Sequence, residues 1–242
     1  MNNAIGVFDS GVGGLTVARE IMRQLPNETI YYFGDVKNCP YGDKKKDEII
    51  INTEKAIKYL INQGVKMIIL ACNTATAAAL EYLQEKYDLP IIGVVQPGAR
   101  RAIQATENNK VLVLGTKFTT TSEVYDIEIQ NINSDIVVYD KACPSFVPFI
   151  EAEGYLNREE ADNIIKETLN DTIDLGMDTV VLGCTHYPML KKNIEEFYGN
   201  RIKVISSGRE AAREVSTVLG YSKLHQSKVN KTDHKFFISE KS

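Results

Sequence analysis

Two kinds of stretch alternate along this chain. Short runs of apolar, often β-branched residues fall at 4–8, 29–33, 67–71 and 91–95, and again at 110–114, 136–139, 179–183 and 203–205. Their near-continuous hydrophobicity is that of strands covered on both faces. Between them lie longer segments with apolar residues at helical spacing, such as Ile57, Leu60 and Ile61 within 47–62. Segments 15–25, 75–87, 159–175 and 188–197 read the same way, with Pro188 suited to a first helical turn. Strands alternating with helices predict parallel βαβ units and an α/β fold with helices on both sides of each sheet.

The second half repeats the scheme of the first. Asp9-Ser10-Gly11 follows the first strand and Gly115-Thr116 follows the strand that opens the second half; each half then has a strand ending at a cysteine. This is a topological hint of duplication, carried by order and not by identity. Gln96-Pro97-Gly98 interrupts the pattern, and the chain is expected to cross back near Ser207-Gly208. Residues 1–96 with 208–242 are therefore expected to form one discontinuous domain and 97–207 a second, pseudo-symmetric one. The polar, lysine-rich stretch 222–242 reads as a solvated helix or frayed end, in which His225 and His234 need no special role.

Composition narrows the function classes. A chain of 242 residues with 43% hydrophobic and 25% charged content is ordinary for a globular protein. A formal net charge of -4 offers no general attraction to nucleic acid. No apolar run is long enough to span a bilayer, and the start Met1-Asn2-Asn3-Ala4 lacks the regions of a signal peptide. A cytoplasmic location is the expectation. The four cysteines, Cys39, Cys72, Cys143 and Cys184, are widely separated with no Cys-x-x-Cys, so free thiols are expected. Cys39 and Cys143, each just before a proline, are read as packing residues.

Cys72 and Cys184 are different. Each ends a buried-looking strand and is followed by small polar residues, Asn73-Thr74 in one case and Thr185-His186 in the other. A thiol where a strand hands over to a helix meets free backbone N–H groups and a positive dipole end, which favour thiolate. Two such thiols point to a pair of acid–base groups working on opposite sides of one substrate.

Other motifs are weaker. Asp9-Ser10-Gly11-Val12-Gly13-Gly14 is a glycine-rich strand-to-helix turn, but a dinucleotide fingerprint needs glycine where Thr16 stands. Asp35 could mimic the ribose-binding acid of such a site, and the loop could equally bring backbone amides to a small carboxylate. Thr116, Thr119, Thr120, Thr121 and Ser122 form a hydroxyl cluster in which helix capping and carboxylate binding are both open. His186 could raise the thiolate fraction of Cys184 or protonate a ligand carboxylate. Cys-x-His without a second pair is poor zinc spacing, and no metal or cofactor is expected.

Four stretches in order, Gly6-Val7-Phe8-Asp9-Ser10-Gly11-Val12-Gly13-Gly14-Leu15, Pro40-Tyr41-Gly42, Ala71-Cys72-Asn73-Thr74-Ala75 and Leu182-Gly183-Cys184-Thr185-His186-Tyr187-Pro188, carry a family resemblance. The chain resembles the cofactor-independent bacterial glutamate racemases. The resemblance implies two α/β domains with L- or D-glutamate in the cleft between them, and a homodimer. It implies that Cys72 takes the α-proton from D-glutamate and Cys184 takes it from L-glutamate, and that the product serves peptidoglycan. Asp9, Ser10, Tyr41, Gly42, Asn73, Thr74, Thr185 and His186 match substrate-contacting positions; Pro40, Thr116 and Thr119 complete the expected binding set. Glu151 matches a supporting acid, so the expected catalytic set is Cys72, Cys184, Asp9, Glu151 and His186. Related aspartate racemases carry Glu after the Cys-Thr pair, so His186 favours glutamate. Gln96 and Asn38 depart from the family, which often has an acidic or histidine residue and a basic residue there.

The chemistry such a site must perform is demanding. A free thiol with a pKa of about 8.5 is only a few per cent thiolate at neutral pH. Without pyridoxal phosphate there is no electron sink for the α-carbanion. Fixed donors must instead stabilise charge on the α-carboxylate, and Asn73, Thr74 and Thr185 with the amides near Ser10 are the candidates. A dinucleotide-binding module and a catalytically silent regulator are the competing readings.

Overall fold

The computed structural model describes residues 4–199, 201–222, 224 and 232–240. Two all-parallel sheets form, each between helical layers, as the alternating pattern predicts. The first has β1 (Ile5–Asp9), β2 (Ile30–Gly34), β3 (Met67–Leu70), β4 (Ile91–Gly93) and β9 (Lys235–Ile238) in the order β4-β3-β1-β2-β9. The second has β5 (Lys110–Gly115), β6 (Val137–Ala142), β7 (Thr179–Gly183) and β8 (Lys203–Ser206) in the order β6-β5-β7-β8. Leaving β9 aside, the two orders are the same, so the duplication legible in the sequence is a duplication of topology.

The inner strands β1, β3, β5 and β7 are buried on both faces, which is why they carry no polar alternation. On one face of the first sheet, α2 (Lys46–Asn62) and α3 (Asn73–Lys86) cover Phe8, Ile68 and Leu70. On the other, α1 (Leu15–Gln24) and α10 (Ser207–Tyr221) cover Ile5, Val7, Met67 and Ile69. In the second sheet, α4 (Val95–Ala105) and α6 (Val124–Gln130) cover Val111, Val113 and Val181. The opposite face, with Leu112, Leu114 and Val180, packs on α7 (Phe146–Glu151), α8 (Arg158–Leu169) and α9 (Lys191–Phe197).

This arrangement fixes where a ligand can sit. β1 and β3 are neighbours, but their chains leave toward opposite faces, through α1 and α3. β5 and β7 repeat this through α6 and α9, with the short α5 (Lys117–Thr121) directly after β5. Such switch points open a crevice at the carboxyl ends of the strands. Asp9, Cys72, Thr116 and Cys184 lie at those ends.

Several elements differ from expectation. Pro97 and Gly98 do not break the chain; they lie in the first turns of α4, where a proline needs no N–H donor. Residues 170–175 and 187–190 are 3-10 turns and not parts of long helices. Within the C-terminal stretch, Lys235–Ile238 is not helical but adds an edge strand to β2, with Phe237 against Tyr31 and Tyr59. His234 has a structural role, its Nδ1 accepting the Ile30 amide at 3.1 Å, whereas His225 lies outside the described residues. No described helix is long and apolar enough to cross a membrane.

Candidate active site

The two sheets turn their carboxyl ends to one cavity. From the first come Ser10 after β1, Pro40, Tyr41 and Gly42 after β2, and Cys72, Asn73 and Thr74 after β3. From the second come Thr116 after β5 and Cys184, Thr185 and His186 after β7. Both thiols therefore line the same space from different sheets. The space itself is about 30 Å³, room for one or two waters and far less than an amino acid needs.

Cys72 is the N-cap of α3. Its Sγ accepts the Ala75 amide at 3.4 Å and lies 3.4 Å from Ser10 Oγ, the thiol donating. Cys184 precedes only a 3-10 turn, and the His186 Nδ1 lies 3.8 Å from its Sγ. The other ring nitrogen, Nε2, lies 3.2 Å from Glu151 Oε1. The pair is not aligned for a hydrogen bond, which leaves Nε2 as a buried polar atom without a hydrogen-bond partner among the described residues. The His186 ring, with Glu151 behind it, thus backs the Cys184 side, and a helix terminus backs the Cys72 side.

The expectation that strand-end placement favours thiolate is overturned here. Burial pushes Cys72 up to about 11, helped by the charge of Asp9 and only partly offset by hydrogen bonds from Ser10 and Ala75. Burial pushes Cys184 up as well, with the charges of Cys72 and Asp9 adding to it against the His186 and Tyr187 amides. In this closed, nearly dry cleft, removing water from the charged form outweighs the helix dipole.

Asp9 is fully buried and does not line the cavity. Its Oδ2 accepts the amides of Gly11 and Gly14 at 3.1 and 3.0 Å, and its Oδ1 accepts Thr185 Oγ1 at 3.3 Å. The glycine-rich loop therefore does hold a carboxylate, but it is the chain's own. Burial raises the Asp9 carboxyl above its usual range, opposed by the charge of His186 and by those two amides. A Cβ on Gly13 would stand 2.5 Å from His186 Nδ1 and 2.6 Å from Thr185 Oγ1, so only glycine lets this loop meet β7's residues.

The threonines form a bridge. Thr74 Oγ1 lies 2.9 Å from Thr116 Oγ1 and 3.3 Å from Thr119 Oγ1, and Thr116 and Thr119 are 3.1 Å apart. Thr116 also caps α5, so capping and site membership are not alternatives. Thr120, Thr121 and Ser122 turn back onto helix carbonyls instead. Asn73 is held by the Tyr125 hydroxyl at 2.7 Å.

Asp35 is not a ribose-binding acid. Its carboxylate is saturated by Tyr41 at 2.6 Å, Ser239 at 2.7 Å and Asn38 at 3.0 Å. The Tyr41 hydroxyl is thus committed to Asp35 while its ring packs on Phe8. Asn38 serves as that carboxylate's donor, and Gln96 donates to Glu128 at 3.0 Å.

Sequence reasoning missed Cys39 and Val147. Cys39 lines the cavity, with its Sγ 3.9 Å from Glu151 Oε1, and burial with the Glu151 charge pushes it up to about 12. Its place beside Pro40-Tyr41-Gly42 was the available signal. Cys143 is a fully buried packing residue, as expected.

The family described as Asp/Glu/hydantoin racemase matches residues 13–215. A glutamate racemase of Staphylococcus haemolyticus is 51% identical over 239 residues, 99% of this chain and 90% of that protein. The crystal structure of a Bacillus anthracis glutamate racemase superposes with a TM-score of 0.91 at 38% identity, over 98% of this chain and 89% of that one. A Francisella tularensis glutamate racemase in complex with D-glutamate superposes at 0.92 with 36% identity, over 99% and 89%. The sheets, the paired cysteines and these relatives agree: the chain belongs to the Asp/Glu/hydantoin racemase family, a family of isomerases.

Proposed function

We propose that this racemase interconverts L- and D-glutamate by passing protons between two thiols and the substrate α-carbon, with no cofactor. The observation that carries the reading is that Cys72 and Cys184 end corresponding strands of two like-ordered sheets and line one cavity. One thiol starts as thiolate and removes the α-proton; the other, from the opposite side, delivers its own. After turnover the protonation states are exchanged, and the reverse reaction uses the same two groups. Cys72 acts on D-glutamate and Cys184 on L-glutamate.

The remaining residues answer the problem of α-proton acidity. Thr74, Thr185, Asn73 and the amides around Ser10 are fixed donors for the charge that grows on the α-carboxylate. Thr116, Thr119, Pro40, Tyr41 and Gly42 bound the substrate on the outer side. Asp9 orients Thr185 and the glycine loop, and Glu151 with His186 supports Cys184. Because the closed cavity admits only one or two waters, the two halves must part to admit substrate and close to exclude solvent.

The division into domains at 96/97 and 207/208 belongs to this reading, since α10 and β9 serve the first sheet and α4 the second. So do a cytoplasmic homodimer and a role in supplying D-glutamate to peptidoglycan. The test is polarimetric: the purified protein, without added cofactor, should bring either glutamate enantiomer to the racemate and leave aspartate largely unchanged. Preference for aspartate would overturn the substrate assignment.

A further inference from the structure

The inner cavity opens outward past Gly42, Thr116 and Val147 into a second pocket of about 180 Å³. Its walls combine three chemistries. Pro144, Val147 and Pro148 are apolar; Asp43 and Glu151 are carboxylates; Lys117 is the single lysine or arginine lining either pocket among the described residues. Lys117 is exposed and forms no ion pair among the described residues. Its position is fixed from below, because it opens α5 directly after Thr116, and the next amide, of Phe118, donates to the Gly42 carbonyl at 3.0 Å.

We propose that this outer pocket is an entry subsite for an α-amino dicarboxylic acid, with Lys117 holding one of the two carboxylates. The inference rests on the glutamate reading above and deepens it. An anionic substrate approaches a protein of net charge -4 past Asp43 and Glu151 at the mouth, so an unpaired ammonium there offsets a real repulsion. The apolar wall suits the substrate's methylenes, and the two carboxylates suit its ammonium. Since Lys117 adjoins Thr116, its charge still acts on the dicarboxylate once that has moved inward. The contribution therefore survives into the transition state and enters kcat/KM. It is screened by salt, because at physiological ionic strength the Debye length is about 8 Å.

The experiment is steady-state racemisation of both enantiomers by the full chain, wild type, Lys117→Gln and Lys117→Arg, from low to high ionic strength. Lys117→Gln should lose about three- to tenfold in kcat/KM at low salt, nearly all of it in KM, and the gap should close as salt rises. Lys117→Arg should stay close to wild type. An unchanged kcat/KM and salt slope in Lys117→Gln would overturn the subsite while leaving glutamate racemisation intact. So would a loss confined to kcat, or a failure of arginine to rescue. If the wild type racemised neither enantiomer, the functional reading would fall and the subsite with it.

Discussion

Cys72 and Cys184 occupy equivalent strands in sheets of the same order, yet their surroundings diverge. Cys72 caps the 14-residue helix α3 and is touched by Ser10 and the Ala75 amide. Cys184 has no long helix behind it and faces His186, which in turn faces Glu151. The two sides are also joined across the cleft by different means. Thr74, Thr116, Thr119 and Phe118 join them near Cys72, whereas the Gly13 backbone and Thr16, whose hydroxyl donates to the Thr185 carbonyl at 3.0 Å, do so near Cys184. Duplicated backbone topology puts two thiols at one cavity; unduplicated side chains decide how each is ionised. Cys184 feels the charge of both Cys72 and Asp9, while Cys72 feels that of Asp9 and has the Ala75 amide as donor and Ser10 beside it. Burial opposes ionisation of both thiols, and one more negative charge opposes it at Cys184 than at Cys72.

The largest effect should come from removing either sulfur. Cys72→Ala and Cys184→Ala should each lower racemisation of both enantiomers by at least about 10³-fold, at the upper end of what a positioned acid–base group supplies. Retention of activity by either variant would break the pairing. His186→Asn should cost about 10- to 100-fold. Enantiomers have equal free energy, so kcat/KM must fall equally in both directions. The asymmetry should appear as a larger primary isotope effect for α-deuterated L-glutamate than for the D form. Gly13→Ala should reproduce that pattern, because the added methyl would displace the His186 ring.

Phe118 belongs to α5, which follows a strand of the second sheet, but packs on the core under α2 and α3 of the first. Phe118→Ala should lower stability by about 1–3 kcal/mol in chemical denaturation. The pH effect is gradual. The native thiols of Cys72 and Cys143 are pushed up to about 11 and about 12, while in the unfolded chain they titrate near about 8.5. The folded state then binds more protons, so stability should be level below that value. It should fall above it by about 1.4 kcal/mol per pH unit for each buried thiol. The same upward shift makes kcat/KM rise with pH from neutrality, as more of the reacting thiol ionises.

Most of the fold was legible because buried parallel strands leave uninterrupted apolar runs, and strand-end chemistry follows from that order alone. Three features were not. Pro97-Gly98 reads as a break, yet a proline in a first helical turn costs nothing. β9 is a short run in a polar context whose partner, β2, lies 204 residues away in the chain, so no local pattern announces it. The ionisation of the cysteines was misjudged for a different reason: helix-end dipoles can be read from sequence, but the dryness of a closed interdomain cavity cannot. Asp9 and Asp35 show a related gap, since each carboxylate is shared between loop residues close by in the chain and one distant partner, Thr185 for Asp9 and Ser239 for Asp35.

The central claim is that two sulfurs serve opposite sides of one α-carbon, and isotope placement in deuterated water tests it most directly. Starting from one glutamate enantiomer, early product should carry deuterium at the α-carbon while the remaining starting enantiomer stays nearly unlabelled. Equal early labelling of both enantiomers, or product that keeps its original hydrogen, would contradict the account.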